Sequence, residues 1–121
     1  MVVKVKSALK FKAQSFEDRL AEAIRITTKY PSRVPVIIEV VGDLPEIHKY
    51  KYLVPLSSTA GEFLFTLRQR MKVTPDTALF LFVNNKTLVP CSQTMGQVYE
   101  NHKGKDNFLL MALSGEACFG S

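Results

Sequence analysis

Two cysteines, two histidines and no long apolar run narrow the field before any motif is read. Cys91 and Cys118 are too few and too unpatterned for a disulfide framework, and no Cys/His cluster has zinc-ligand spacing. His48 and His102 stand alone, with no companion ligand at a recognisable interval. No stretch approaches the ~20 apolar residues that span a bilayer, and the N-terminus lacks the layout of a signal peptide. Cys118 has no His/Asp arrangement to activate it, so it reads as non-catalytic. These absences leave an expectation of a non-enzymatic, metal-free and cofactor-free protein, soluble in a reducing compartment.

What is present is ordinary globular material. At 121 residues, 46% hydrophobic and 22% charged, the chain suits one domain with its own core. The charge is unevenly placed. Met1 to Arg33 holds eight of the sixteen Lys/Arg but three of the eleven Asp/Glu, whereas Val34 to Ser121 nets zero. The whole excess of +5 therefore lies in the N-terminal quarter, with Lys4, Lys6, Lys10 and Lys12 unopposed before Glu17. Such a segment fits an anionic partner, nucleic acid or membrane, or a solvated basic arm. Aromatic-interleaved RNA motifs, a helix-turn-helix and a zinc finger are all missing, so no nucleic acid is expected.

Helical and strand signals alternate. Ser15-Phe16-Glu17-Asp18 reads as an N-cap, and Phe16, Leu20 and Ile24 recur at four-residue spacing. That predicts a helix running to about Lys29 and stopping before Pro31. Val34 to Val41 reads as a buried strand turned by Gly42-Asp43, and Lys49 to Leu56 as a second strand. Thr59-Ala60-Gly61-Glu62 is a capping box ahead of Phe63, Leu67 and Met71 on one helical face. Ala78 to Val83 predicts a strand ended by Asn84-Asn85, Ser92 to His102 a short helix, and Phe108 to Leu113 a last strand. The result is an α+β domain over 15–113, after a basic extension over 1–14 and before a flexible tail over 114–121. The order suits a ubiquitin-like β-grasp sheet with an added N-terminal helical segment, though other α+β folds share it.

The tail ends Phe119-Gly120-Ser121. Glycine has no Cβ, so a carboxyl at Gly120 can enter a narrow channel and meet a nucleophile unobstructed. On this reading Ser121 is a disposable cap; otherwise the segment is an ordinary frayed terminus.

Longer motifs bear on that choice. Tyr30-Pro31-Ser32-Arg33-Val34-Pro35-Val36-Ile37, Leu44-Pro45-Glu46-Ile47 and Lys51-Tyr52-Leu53-Val54-Pro55 resemble the ubiquitin-like autophagy modifiers. That family includes the GABA-receptor-associated protein and the microtubule-associated-protein light chain. Phe80-Leu81-Phe82-Val83-Asn84, Met95-Gly96-Gln97-Val98-Tyr99, Ser114-Gly115-Glu116 and Phe119-Gly120 extend the likeness from Phe16 to Gly120. Met1 to Lys10 is longer and more basic than usual, and Ser15 stands where the family usually has proline.

The resemblance implies a protein that performs no chemistry of its own. A cysteine protease would trim the chain after Gly120, removing Ser121. Activating and conjugating enzymes would then pass the glycine carboxyl to phosphatidylethanolamine. The protein would be cytoplasmic when unconjugated and would sit on the autophagosome membrane when lipidated. It would also dock cargo receptors through short aromatic-x-x-aliphatic motifs, often preceded by acidic residues. By position, Glu22, Ile26, Pro35, Ile37, Lys51, Leu53 and Phe108 would form an aromatic pocket. Tyr52, Val54, Pro55, Ser58, Phe63, Thr66, Leu67 and the stem of Arg70 would form an aliphatic one. Arg33 and Lys49, with Lys51, would meet the acidic flank. A ubiquitin-like docking module that is never conjugated is the alternative.

Ser58 and Thr66 depart from the family, whose members commonly carry leucine or isoleucine there. Hydroxyls in an apolar wall imply weaker or altered selection of the aliphatic anchor. Titrating motif peptides against Thr66→Leu is expected to show a changed affinity or ranking, and identical curves would refute this.

Overall fold

A computed structural model describes residues 6–84 and 86–117. Its centre is β1 (Arg33–Val40), and the reason is compositional. Seven consecutive residues, Val34 to Val40, are buried, so this strand needs cover on both faces and neighbours on both edges. It pairs antiparallel with β2 (Lys51–Pro55) and parallel with β5 (Leu109–Ser114). Beyond β5 lie β3 (Phe80–Val83) and the two-residue β4 (Thr87–Leu88), giving the order β2-β1-β5-β3-β4. The β4 pair was not expected from sequence, because Thr87 and Leu88 are both exposed and show no buried alternation.

Alternation of side chains along β1 divides the core in two. Val34, Val36, Ile38 and Val40 join the main cluster beneath α3 (Ala60–Gln69) and α4 (Met95–His102), with Phe63, Leu67, Met71 and Val98. Ile37 belongs to a second cluster with Ala8, Phe11, Ala23 and Phe108, under α1 (Lys6–Lys12) and α2 (Phe16–Lys29). Glu39 shares that second face, buried, and is paired with Lys12 of α1.

The sequence left open whether the basic extension folds back. Lys6–Lys12 is helical and docked on β1, held by Phe11 against Phe108 edge-to-face with ring centroids 4.8 Å apart. Helix α2 is present as expected, but Phe16 and Ile24 are exposed. The sheet-facing side is Arg19, Glu22, Ala23 and Ile26, where a buried alanine lets the helix approach closely and polar neighbours find partners. Arg19 Nε donates to Asp106 Oδ2 at 2.9 Å, tying α2 to the turn before β5.

Helix starts agree well with the capping signals. Ser15 accepts from the Asp18 amide, and full capping boxes close at Thr59/Glu62 and Thr94/Gln97. The last of these places the start of α4 at Met95 rather than Ser92.

Phe11 is 4% exposed at the joint between α1 and the sheet. Phe11→Ala is expected to cost about 3 kcal/mol in chemical denaturation. Faster hydrogen exchange over Lys6–Lys12, with β1 and β5 still protected, should accompany that loss.

Candidate docking site

The exposed edge of the sheet is β2, and its register dictates what it offers. Ile38 donates to the Tyr50 carbonyl at 2.8 Å and Leu56 to the Ser32 carbonyl at 3.0 Å. The hydrogen-bonded pairs are therefore the even-numbered ones, including Val36↔Tyr52 and Val34↔Val54. In the intervening pairs, Ile37↔Lys51 and Pro35↔Leu53, the N–H and C=O groups of Lys51 and Leu53 point away from β1. The free edge thus carries two donors and two acceptors, one of them the Leu53 carbonyl that the Arg33 guanidinium contacts at 3.3 Å. Pro35 is tolerated in the strand because its missing N–H faces β5, whose pairing begins only at Val36.

The same alternation sends successive β2 side chains to opposite faces. Lys51 and Leu53 lie toward α2 with Pro35 and Ile37, while Tyr52 and Val54 lie toward α3. The two sets of residues expected from sequence to form pockets are divided between these two faces.

On the α2 face, Lys51 Nζ bonds Glu22 Oε2 at 2.9 Å, bridging strand and helix. Leu53 and Ile26 are half-buried, whereas Pro35, Ile37 and Phe108 are buried. Ile37 and Phe108 form a floor shared with Phe11, whose ring also lies 5.8 Å from Lys51 Nζ. Next to this face is a cavity of about 390 Å³ whose lining includes Lys10, His48, Lys49 and Lys51. Sequence reasoning placed Lys49 and Lys51 there but missed Lys10, His48 and Phe11. Lys10 and Phe11 sit in the segment read as a separate arm, and only the α1 docking brings them near.

On the α3 face, Tyr52, Val54, Pro55, Ser58, Phe63 and Thr66 line a cavity of about 190 Å³. Leu67 is fully buried beneath it, and Arg70 caps the C-terminus of α3 outside the lining. Glu62 also lines the cavity. Its sequence signal was absorbed by the capping box, so its second role was not read. The Tyr52 ring meets Phe63 edge-to-face at 5.4 Å, and its hydroxyl donates to the Lys49 carbonyl at 2.7 Å. Gly120 and Ser121 lie outside the described residues.

Two phenols carry the electrostatic signature of this packing. Burial pushes the Tyr52 hydroxyl above its ordinary value of 10.0, and the positive Arg70 partly offsets that. Burial, reinforced by Glu100 and Asp106, raises Tyr99 too. A raised folded-state pKa leaves the stabilising contribution intact below the unfolded value and removes it as pH climbs through the folded one. Stability is therefore expected to be insensitive to these groups below pH 10 and to fall above it. Arg70→Ala should raise the Tyr52 midpoint further in an ultraviolet phenolate titration.

Comparison with known proteins places this geometry. The family model described as "Autophagy protein Atg8 ubiquitin like" matches residues 18–120. Autophagy-related protein 8a of Arabidopsis thaliana is 47% identical over 118 residues, covering 96% of this chain and 95% of the relative. The crystal structure of Trypanosoma brucei ATG8 superposes with a TM-score of 0.82 at 38% identity, covering 90% of this chain and 95% of that one. Plasmodium falciparum Atg8, in complex with a Plasmodium falciparum Atg3 peptide, gives 0.79 at 37% identity over 89% and 96%. The mixed five-stranded sheet with helices ahead of it is the ubiquitin-like fold of those structures. With family, fold and edge-strand geometry in agreement, this chain belongs to the Atg8 family of ubiquitin-like autophagy modifiers, which are not enzymes.

Proposed function

We propose that this modifier is trimmed after Gly120, joined there to phosphatidylethanolamine, and used to hold short peptide motifs at the membrane. The observation that carries the docking half is the free edge of β2, with one cavity at its Lys49–Lys51 end and another on its α3 face. An added strand would pair with the outward groups of Lys51 and Leu53. In an extended peptide, residues an odd number apart point to opposite faces. An aromatic and an aliphatic anchor with two residues between them would then reach the α2 and α3 pockets together. Three residues of strand span ~10 Å. Lys10, Lys49 and Lys51, clustered at one end, suit the acidic residues that precede such motifs, mainly raising association rate and specificity. Each buried anchor contributes ~1.5–3 kcal/mol before ordering costs, so an affinity near micromolar, about −8 kcal/mol, is expected.

The conjugation half rests on the family match, which ends at Gly120. Trimming exposes the glycine carboxyl, activation converts it to a thioester, and transfer to the lipid amine forms an amide. No helix among the described residues is long and apolar enough to cross a membrane. Two acyl chains at ~0.8 kcal/mol per buried methylene would anchor the domain stably, where one chain is marginal. The partners are then a trimming cysteine protease, activating and conjugating enzymes, and cargo receptors bearing the motif. The Plasmodium relative's Atg3-peptide complex supports a peptide-docking role for this fold. Location follows conjugation: cytoplasm before it, autophagosome membrane after it.

Intact-mass spectrometry of protein from membrane fractions of starved source cells tests this beside a Gly120→Ala control. The expected species lacks Ser121 and carries phosphatidylethanolamine, and the control lacks it. Full-length, unlipidated protein in both samples, with processing of another substrate intact, would leave a docking module that is never conjugated.

A further inference from the structure

Taking up a peptide strand on β2, the role proposed above, would bring its second anchor to a pocket of mixed lining. Tyr52, Leu53, Val54, Pro55 and Phe63 supply the apolar part, with Val54 and Phe63 buried. The rest of the lining is polar: Ser58 in the turn before α3, and Glu62 and Thr66 at four-residue spacing on α3 itself.

That wall is fixed in place. Met95 donates its amide to the Ser58 carbonyl at 2.7 Å and Gly96 to the Leu56 carbonyl at 3.0 Å, so the turn before α3 is clamped to the start of α4. Thr66 spends its hydroxyl on the Glu62 carbonyl at 3.3 Å. Glu62 Oε1 accepts from the Thr59 amide at 2.8 Å and hydroxyl at 3.3 Å. Glu62 Oε2 and Ser58 Oγ make no hydrogen bond among the described residues, and both Ser58 and Glu62 line the pocket. A pure hydrocarbon anchor would strip water from this carboxylate and hydroxyl without replacing its hydrogen bonds. An anchor with an aliphatic stem and a donor head would lay the stem on Phe63 and Val54 and satisfy both oxygens.

We propose that the second pocket of this chain selects a motif ending in lysine or arginine, aromatic-x-x-cation, over one ending in leucine or isoleucine. Ser58, Glu62 and Thr66 are the specificity-determining residues. Two cations bear on the far side of the pocket, because Arg70 acts on the Tyr52 hydroxyl and Lys49 Nζ lies 5.1 Å from the Tyr52 ring centroid, so the cationic head must sit at the Glu62 end.

The test uses the full chain and acidic, aromatic-anchored peptides that differ only at the second anchor: lysine, norleucine or leucine. Norleucine keeps the stem and removes the charged head. Fluorescence anisotropy on wild type should show the lysine peptide binding about tenfold tighter than norleucine, a ratio that shrinks as salt rises. Glu62→Gln, which retains a capping oxygen, should reduce that ratio to about threefold or less. Ser58→Leu with Thr66→Leu should invert it in favour of leucine. Wild-type binding of leucine or norleucine as tight as lysine, with the aromatic anchor still required, would overturn the inference alone. Binding that ignores replacement of the aromatic anchor by alanine, or no binding by any peptide, would overturn the docking role and the inference together.

Discussion

The architecture depends on one strand being apolar on both faces. With Val34 to Val40 all buried, β1 cannot stand at an edge with one side in water. It takes β5 on one side and β2 on the other, and it needs a helical layer above and another below. Helices α3 and α4 supply one layer from the body of the chain. The other comes from α1 and α2, so the N-terminal segment is required to complete the second cluster around Ile37 and Phe108. The buried carboxylate of Glu39 is the polar cost on that face, and Lys12 of α1 neutralises it. Glu22 of α2 meets Lys51 on one face of β2 and Phe63 of α3 meets Tyr52 on the other, so the edge strand has a helix beside each face.

A second constraint sets how firmly those walls are held. The turns leading into α3 and α4 exchange backbone bonds: Ala60 to Gln93, Gly61 to Cys91, Met95 to Ser58 and Gly96 to Leu56. Each approach therefore lends carbonyls to the first amides of the other helix, which a helix N-terminus would otherwise leave without acceptors. The approach is close enough that a side chain at either glycine would press its neighbour aside. A Cβ at Gly96 would stand 3.1 Å from the Leu56 carbonyl, and one at Gly61 3.2 Å from Cys91 Cβ. Two glycines thus fix the wall of a pocket to which neither contributes a side chain. Pre-set walls of this kind lower the ordering cost of binding.

Much of this was legible in the residues, and what was missed has physical causes. The Thr59–Glu62 capping box located α3 because it is a local hydrogen-bond pattern with fixed spacing, whereas the Thr94–Gln97 box went unread and α4 was expected from Ser92. The buried strand was plain from its β-branched run. Periodicity misjudged α2: Phe16 and Ile24 repeat at helical spacing yet face outward, while the sheet side carries Ala23 among polar residues that are neutralised only in the fold. Phe11 and Lys10 were hidden because a seven-residue helix has almost no signal of its own, and its stability comes from docking. Glu62 shows the limit of one-role reading. A capping glutamate satisfies the helix with one oxygen and leaves the other for the pocket.

The basic N-terminal quarter also reads differently once it is folded. Lys12 and Arg19 are consumed by Glu39 and Asp106, and Arg33 contacts the β2 backbone. These are internal uses of charge, and they remove part of the electrostatic reason for a nucleic-acid surface. Lys10 is different, because it joins Lys49 and Lys51 around one end of β2, while Glu62 lies in the pocket on the α3 side. The edge strand thus has cations at both ends, Lys10 and Lys49 beside its start and Arg33 opposite Pro55 at its finish, with Glu62 set on the α3 side. β-Augmentation by itself tolerates either strand direction, since the edge offers donors and acceptors alternately. On the docking role proposed above, strand direction would then have to be set by the anchors on the two faces, with the cations raising the association rate of an acidic peptide.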